Sequence, residues 1–318
     1  MTSGTVAWRY PPGLPTDRGT VATVGTFDGV HLGHWRVLQE IRRRARETGR
    51  RSAMVTFDPH PLRIVRPDHA PPLLTTPLEK KEILAESGLD FAVFVTFTET
   101  LSRYEPRRFV EEILLGRVRV EELVIGYDHG FGRDRTGDAE TIRSMGLELG
   151  FAVDVVEPVE ARGVSISSSR IRTAIQERRL DEARACLGRP YAILGLVVRG
   201  EGRGRGLGFP TANLKITDQD KLVPPAGVYA VRGVLRGGGA YPGALHIGPR
   251  PTFKGSPPTI ELHLIGFDRD IYGEEVRVEF VEHLRNVRPF DGVEALVAQL
   301  REDVAAAARA VDSDPGIA

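Results

Sequence analysis

The spacing of apolar residues changes character once along this chain, and that change limits the fold more than any compositional figure does. From about Thr20 to Leu187, short apolar runs alternate with amphipathic stretches closed by glycine. "TVATVG", "SAMVTF", "FAVFVTF", "EELVIG" and "FAVDVV" read as buried strands. Between them, "LGHWRVLQEIRRRARETG", "TPLEKKEILAESG", "EPRRFVEEILLG" and "DAETIRSMGLELG" read as helices. Strands that alternate with helices pair in parallel, so this half predicts an α/β doubly wound parallel sheet. In the first helix the apolar residues Leu32, Trp35, Leu38 and Ile41 recur at helical spacing, and Gly49 supplies the stop. After about Pro190, glycine and proline become dense and apolar residues alternate, as in "YAILGLVV", "GVYAVRGVL", "TIELHLIGF" and "EEVRVEFV". A period of two with frequent turn signals predicts a small antiparallel β-barrel. One helix, "DGVEALVAQLREDVAAAARA", closes this half with Asp291 as its expected N-cap, and the tail "VDSDPGIA" is expected to fray. The expected domains are 1–186 and 187–318, and no repeat of fixed period is visible.

The 318 residues suffice for two buried cores. Hydrophobic content of 41% and charged content of 27% describe a globular chain, neither disordered nor membrane-embedded. Lys+Arg and Asp+Glu total 43 each, so the formal net charge is zero and no general electrostatic case for nucleic acid exists. The one cysteine, Cys186, cannot form an intrachain disulfide, which suits a reducing cytoplasm. The first residues lack the apolar core of a secretory signal, and no apolar run approaches the ~20 residues of a membrane span. The expectation is a cytoplasmic protein without membrane or nucleic-acid partners; its oligomeric state is not readable from the sequence.

"GTFDGVHLGHWRVLQ", from Gly25 to Gln39, sets His31 and His34 three residues apart at a helix mouth, directly after an apolar strand. Ligands of open α/β sheets sit at the carboxyl ends of the strands, where His31, His34, Asp58, His60 and Asp128 all fall. A metal site would need further ligands, which Asp58 and His60 of "FDPHP" could supply. A phosphate cradle would use the free N–H groups and positive end of the helix, with two imidazoles as added donors. The third alternative is that His31 caps the helix and His34 lies on its surface. The strand–loop–helix context favours phosphate. "SISSSRIR" is a second helix entry with free donors, or a plain cap followed by surface arginines. "FDPHP" can equally be a rigid Pro-framed turn.

In the second half, "GEGRGRGLGFPTANL" has glycine at every second position from Gly200 to Gly208. It matches neither the Walker pattern nor Gly-x-Gly-x-x-Gly. It reads as a flexible strip whose backbone N–H groups, at Gly204, Gly206 and Gly208, can approach phosphate oxygens. The alternative is an arginine–glycine loop that binds RNA loosely or nothing, with Phe209 as its only aromatic residue. Glu261 of "PTIELHL" is a carboxylate in an otherwise apolar strand, which taken alone is a satisfied edge residue.

Taken together, "GTFDGVHLGH", "FDPHP", "GYDHGFG" and "SISSSRIR" resemble the adenylyltransferase half of the prokaryotic bifunctional riboflavin kinase/FMN adenylyltransferases, also called FAD synthetases. "GFPTANL" reproduces the Pro-Thr-Ala-Asn signature of riboflavin kinases, and the resemblance covers nearly the whole chain in the expected order. It implies direct attack of the FMN phosphate on the α-phosphorus of ATP, with loss of pyrophosphate and no covalent intermediate. Catalysis is then mainly positioning and charge neutralisation. By resemblance, His31 and His34 bind the ATP phosphates and stabilise the transferring group, while Gly25, Phe27 and Asp28 shape the loop. Ser167, Ser168 and Arg172 hold the outgoing phosphates, Asp128 contacts the nucleotide, and Asp58 and His60 join the nucleotide-binding set.

In the kinase half, the resemblance makes Gly204, Gly206 and Gly208 the phosphate strip and assigns Mg2+ to Thr211 and Asn213. These are two neutral oxygen ligands at alternate positions of one strand face. Glu261 becomes the base for the terminal ribityl hydroxyl of riboflavin, and Arg285 and Phe290 cover the flavin. The implied partners are riboflavin, FMN, FAD and ATP. Thr26 stands where Asn is common and Ser169 where Thr is common, each keeping a hydrogen-bonding side chain. His129 and Gly130 also depart from the pattern, at positions bearing on the flavin and adenine contacts. The rival readings are a nucleotidylyltransferase with another acceptor, and a flavin- or nucleotide-sensing regulator.

Overall fold

The computed structural model describes residues 13–15, 17–126, 139–200, 203–248 and 259–314. The chain divides into two compact units, Met1–Ser168 and Ser169–Ala318.

In the first unit β1 (Thr20–Val24), β2 (Arg51–Asp58), β3 (Phe91–Thr96), β4 (Val120–Gly126) and β5 (Ala152–Val156) form one sheet. The strand order is β3-β2-β1-β4-β5, and every pairing is parallel, with Val24 opposite Val55 at the carboxyl end of β1. All five residues of β1 are buried, because helices cover both faces of a parallel sheet. Val21 packs into one core with Leu38, Ile41 and Phe94, and Ala22 and Val24 into the other with Phe109, Leu114 and Ile142. The order reverses between β1 and β4, which leaves a crevice beyond their carboxyl ends. A short ribbon of β6 (Glu160–Ala161) and β7 (Val164–Ser165) completes this unit's strands.

Helix α1 (Leu32–Thr48) follows β1 and ends, as expected, on Gly49 at φ +67°. Of its apolar residues Val37, Leu38, Ile41 and Ala45 are buried, whereas Trp35 is only partly covered and Leu32 is 37% exposed. A strict three-residue spacing drifts about 60° per step around a 3.6-residue helix. By Leu32 it has turned to the face opposite Ile41.

The second unit contains the barrel strands β8 (Ala192–Val198), β9 (Ala212–Lys215), β10 (Gly227–Leu235), β11 (Ala240–Ile247), β12 (Ile260–Leu264) and β13 (Glu275–Arg285). They close in the order β10-β11-β12-β9-β8-β13 with every pair antiparallel. Alternation is clear in β12, where Ile260, Leu262 and Leu264 point into the core and Glu261 and His263 do not. The doubly wound sheet, the small barrel and the closing helix are therefore all present.

That last helix spans Val293–Asp312 and packs on β10, β11 and β13. Its N-cap is Gly292, which offers no side chain, so Asp291 does not cap it. The tail also differs from expectation. Val311 is buried, and the buried Asp314 carboxylate accepts two bonds of 2.5 Å from Arg184 Nη1. The ion pair holds the chain through Asp314, and residues 315–318 lie outside the described residues. Among the described residues, no helix is long and apolar enough to cross a membrane.

Both tryptophans, Trp8 and Trp35, precede Ser169, so tryptophan fluorescence reports on the first unit. Leu38 is fully buried in the core beneath α1. Leu38→Ala is expected to destabilise this unit by about 2–5 kcal/mol, seen as a lower urea midpoint by tryptophan fluorescence with an unchanged slope.

Candidate active sites

The loop between β1 and α1 lies at the reversal point of the sheet, and its backbone is strained. Phe27, Gly29 and Val30 have φ of +48°, +86° and +38°. For a β-branched residue such a φ costs about 1–3 kcal/mol, so the surroundings must impose it. Phe27 and Val30 are buried in the core that also contains Leu38 and Phe94. Asp28 is 2% exposed. Its carboxylate accepts the Leu74 and Thr75 backbone N–H groups, both at 3.0 Å, and the Thr75 hydroxyl at 3.3 Å. Gly29 N–H donates to Thr75 Oγ1 at 3.0 Å, and Ser168 Oγ donates to the Asp28 carbonyl at 2.9 Å. Asp28 therefore shapes the loop from within.

His31 caps α1, and the cap is reciprocal: His34 N–H donates to His31 Nδ1, and His31 N–H donates to His34 Nδ1, both at 3.3 Å. The two rings stack at 3.6 Å with a 16° tilt, and Phe27 lies 4.8 Å from the His34 ring. A Cβ at Gly33 would stand 3.1 Å from the Nδ1 and Cε1 atoms of His31, so the intervening glycine makes room for the imidazole. An imidazole Nδ1 that accepts a backbone N–H must carry its proton on Nε2. The cap thereby fixes a tautomer with two Nε2–H donors, which makes capping and anion binding compatible roles.

The metal alternative needs further ligands, and among the described residues no group of three or more His, Cys, Asp or Glu side chains could hold an ion. Asp58 ends β2, and His60 caps the short helix Pro61–Val65, accepting Leu62 N–H at 3.3 Å. Ser168 is the first residue of the helix Ser168–Gln176, Ser167 precedes it, and Arg172 is partly buried one turn in. Asp128, His129 and Gly130 lie outside the described residues.

One residue at the first site has no counterpart in the sequence reading. The helix Pro77–Ala85 opens on a capping box in which Thr76 Oγ1 accepts Glu79 N–H at 3.2 Å and Glu79 accepts Thr76 N–H at 2.9 Å. That box sets the helix so that Lys80 shares the buried face of Ile83 and Leu84. Lys80 is 7% exposed, and its ammonium donates to the Thr26 carbonyl at 2.6 Å and to Thr56 Oγ1 at 3.5 Å. Burial pulls its pKa down to about 8, against the raising influence of the Asp28 and Asp58 carboxylates. The Thr-x-x-Glu of "TPLE" was the available signal.

In the barrel, the glycine-rich strip is not a free flexible segment: Arg203–Gly206 forms a helical turn, and Gly208 turns the chain at φ +83°. A Cβ on Gly200 would overlap the Asn213 side chain, and one on Gly204 would overlap the Phe209 carbonyl and stand 3.2 Å from Thr211 Oγ1. The glycines thus bring the strip against Thr211 and Asn213, and a Cβ on Gly206 would meet nothing within 4 Å.

Across the sheet Asn213 stands opposite Glu261, and Glu261 opposite His246. Opposed residues share a face, so the three form a row on the outer side of β9, β12 and β11. His246 was not anticipated. Burial lowers its pKa; Glu261 raises it, Arg285 lowers it and Asp303 raises it, so all three charges act on one imidazole. Arg285 donates to Asp303 through Nε at 2.8 Å and Nη2 at 2.6 Å, and Gln299 donates to the same carboxylate at 3.0 Å. The guanidinium carbons of Arg285 and Arg288 lie 5.7 and 5.4 Å from the Phe290 ring centroid.

Comparison with known proteins agrees with this division of labour. The family model for FAD synthetase matches residues 14–170, and that for riboflavin kinase matches residues 187–311. A bifunctional riboflavin kinase/FMN adenylyltransferase of Listeria monocytogenes is 38% identical over 290 residues, covering 91% of each chain. The protein of the same name from Escherichia coli K12 is 36% identical over 285 residues, covering 90% of each. Among solved structures, a Streptococcus pneumoniae protein described as a macrolide-efflux protein superposes with a TM-score of 0.86 at 30% identity, over 96% of this chain and 98% of that one. With two successive domain matches and relatives that align over nine-tenths of their length, the chain belongs to the bifunctional riboflavin kinase/FMN adenylyltransferase family.

Proposed function

We propose that this chain makes FAD from riboflavin in two ATP-dependent steps: phosphorylation to FMN within residues 187–318 and adenylylation of FMN within residues 1–186. The observation that carries the first site is the stacked His31–His34 pair, whose mutual cap leaves the ring protons on Nε2. In the adenylylation, an FMN phosphate oxygen forms a bond to the α-phosphorus while the bond from that phosphorus to the bridging oxygen breaks, and pyrophosphate leaves. Charge builds on the transferring group and on the leaving oxygen, and preorganised N–H donors stabilise it without reorganising. His31 and His34 supply those donors from the positive end of α1. Ser167, Ser168 and Arg172 take the departing phosphates, and Gly25, Phe27, Asp58, His60 and Asp128 bound the nucleotide. The single buried cysteine suits a reducing cytoplasm.

In the kinase step, the terminal ribityl oxygen forms a bond to the γ-phosphorus, the bond from the β–γ bridging oxygen to that phosphorus breaks, and ADP leaves. Glu261 accepts the hydroxyl proton, with Asn213 and His246 on either side of it in the row. Thr211 and Asn213 fit a magnesium ion: both offer neutral oxygens, and the glycines at 200 and 204 let the phosphate strip approach them closely. When bound, the ion neutralises phosphate charge. Gly204, Gly206 and Gly208 bring the backbone to the phosphates, and Phe290, flanked by Arg285, covers the flavin.

Chromatography of flavin products, starting from riboflavin or from FMN with ATP and magnesium, tests both assignments. Glu261→Gln is expected to lower FMN formation by about 10²–10⁴-fold while conversion of added FMN to FAD continues. His31→Ala is expected to accumulate FMN, with FAD formation lowered by about 10²–10³-fold. Equal loss of both activities in each variant refutes the separate sites.

A further inference from the structure

We infer that Lys80 is a positioning residue for adenylylation: its buried ammonium pins the Thr26 carbonyl beneath the β1–α1 loop and so holds His31 and His34 in line for the triphosphate. The inference rests on the adenylyltransferase reading of the first unit.

An ammonium is costly to bury, and lysine is almost never fully buried without a partner. Ile83 and Leu84, on the same helical face, bury apolar side chains. What sets residue 80 apart is its target. The 2.6 Å bond reaches Thr26 O, one residue before the strained Phe27. Three further bonds from the same segment fix the loop at Asp28 and one more fixes it at Gly29, but all of those donors are uncharged. Lys80 brings a charged donor to the loop, and it answers both carboxylates near it: Asp28 on the loop and Asp58 at the end of β2. On its own helix, the neighbouring Glu79 is engaged in the capping box. Neutralising the amine turns a charge-assisted bond into an ordinary one and removes a positive charge that acts on Asp28.

Deprotonation therefore weakens the grip on the loop as pH rises. Since burial sets the pKa of Lys80 at about 8, the loss begins within an accessible range. A bound triphosphate adds negative charge nearby and favours the protonated amine. The alkaline limb of kcat, which reports the enzyme–substrate complex, should then lie above that of kcat/KM, which reports the free enzyme.

The test measures FMN-to-FAD conversion by the full-length chain between about pH 7 and 9.5, with riboflavin-to-FMN conversion by the same samples as the control for folding and for pH effects elsewhere. In Lys80→Met, kcat/KM for ATP is expected to fall about 10–100-fold, the rate equivalent of one charge-assisted hydrogen bond, and its alkaline limb to vanish. Lys80→Arg, which stays protonated, is expected to recover much of the rate and move the limb upward. A Lys80→Met enzyme with wild-type kcat/KM and an unchanged limb overturns the inference. If Lys80→Met does not fold, the other two proteins decide: a wild-type profile flat across this range, or an Lys80→Arg limb unmoved from wild type, overturns it. A wild-type chain that makes FMN but no FAD from FMN refutes the underlying reading instead.

Discussion

The buried carboxylate of Asp28 is the constraint on which the first active site depends. It is nearly inaccessible, yet it accepts three hydrogen bonds from Leu74 and Thr75. Those bonds lash the β1–α1 loop to the segment that opens the next helix. Together with the burial of both side chains, they hold Phe27 and Val30 at positive φ, a conformation that side-chain-bearing residues avoid. With them, the loop ends in a defined orientation, His31 arrives at the N-cap, and the reciprocal bond with His34 sets both tautomers. The order of causes runs from a carboxylate deep in the protein to the proton positions on two imidazoles. An ionised group in such a place needs hydrogen bonds and countercharge together, and Lys80 lies where the second is needed.

The barrel reaches its site by a different route. No strained loop organises Asn213, Glu261 and His246; strand register does. A closed barrel fixes the register of every pair, so the three side chains are brought abreast by the same hydrogen bonds that close the sheet. A one-residue slip in β12 would turn Glu261 into the core and Leu262 out of it. The apolar alternation that stabilises the barrel therefore also protects the position of Glu261. Arg285 and Asp303, paired in two places, tie β13 to the final helix and place further charge near His246.

Elements with local causes were legible in the sequence. The run "TVATV", the glycine at 49 and the alternation of β12 each follow from a preference confined to a few neighbours. The place of His31 and His34 at the head of a helix was legible, although the reason for Gly33 was not: it clears space for an imidazole. The features that escaped depend on packing between distant segments. Lys80 reads as one more polar residue in "EKKE" until a capping box fixes its helix frame and that helix docks under Thr26. His246 acquires meaning only through its place opposite Glu261. The buried face of α1 was legible only in part, because three-residue spacing drifts around a helix and carries Leu32 away from Ile41. The order of the tail through Asp314 was not legible, because composition gives no hint of the Arg184–Asp314 pair.

The two sites meet the same chemical problem with opposite inventories. The chain carries no net charge, so neither site can lean on a broad positive field to hold a triphosphate. At the first site the groups near the loop are donors: two imidazole N–H groups, the free N–H groups at the head of α1, and an ammonium beneath them. An anion can be met there directly. At the second, the side chains in the row and beside the glycine strip offer oxygens, those of Thr211, Asn213 and Glu261. A carboxylate repels phosphate oxygens, whereas the neutral oxygens of Thr211 and Asn213 are of the kind that can hold a divalent ion beside them, which is the role proposed for them above. Glu261 is the group proposed to meet the hydroxyl. On the proposed roles, the two nucleotide-using units divide between binding an anion with hydrogen-bond donors and binding it through a metal.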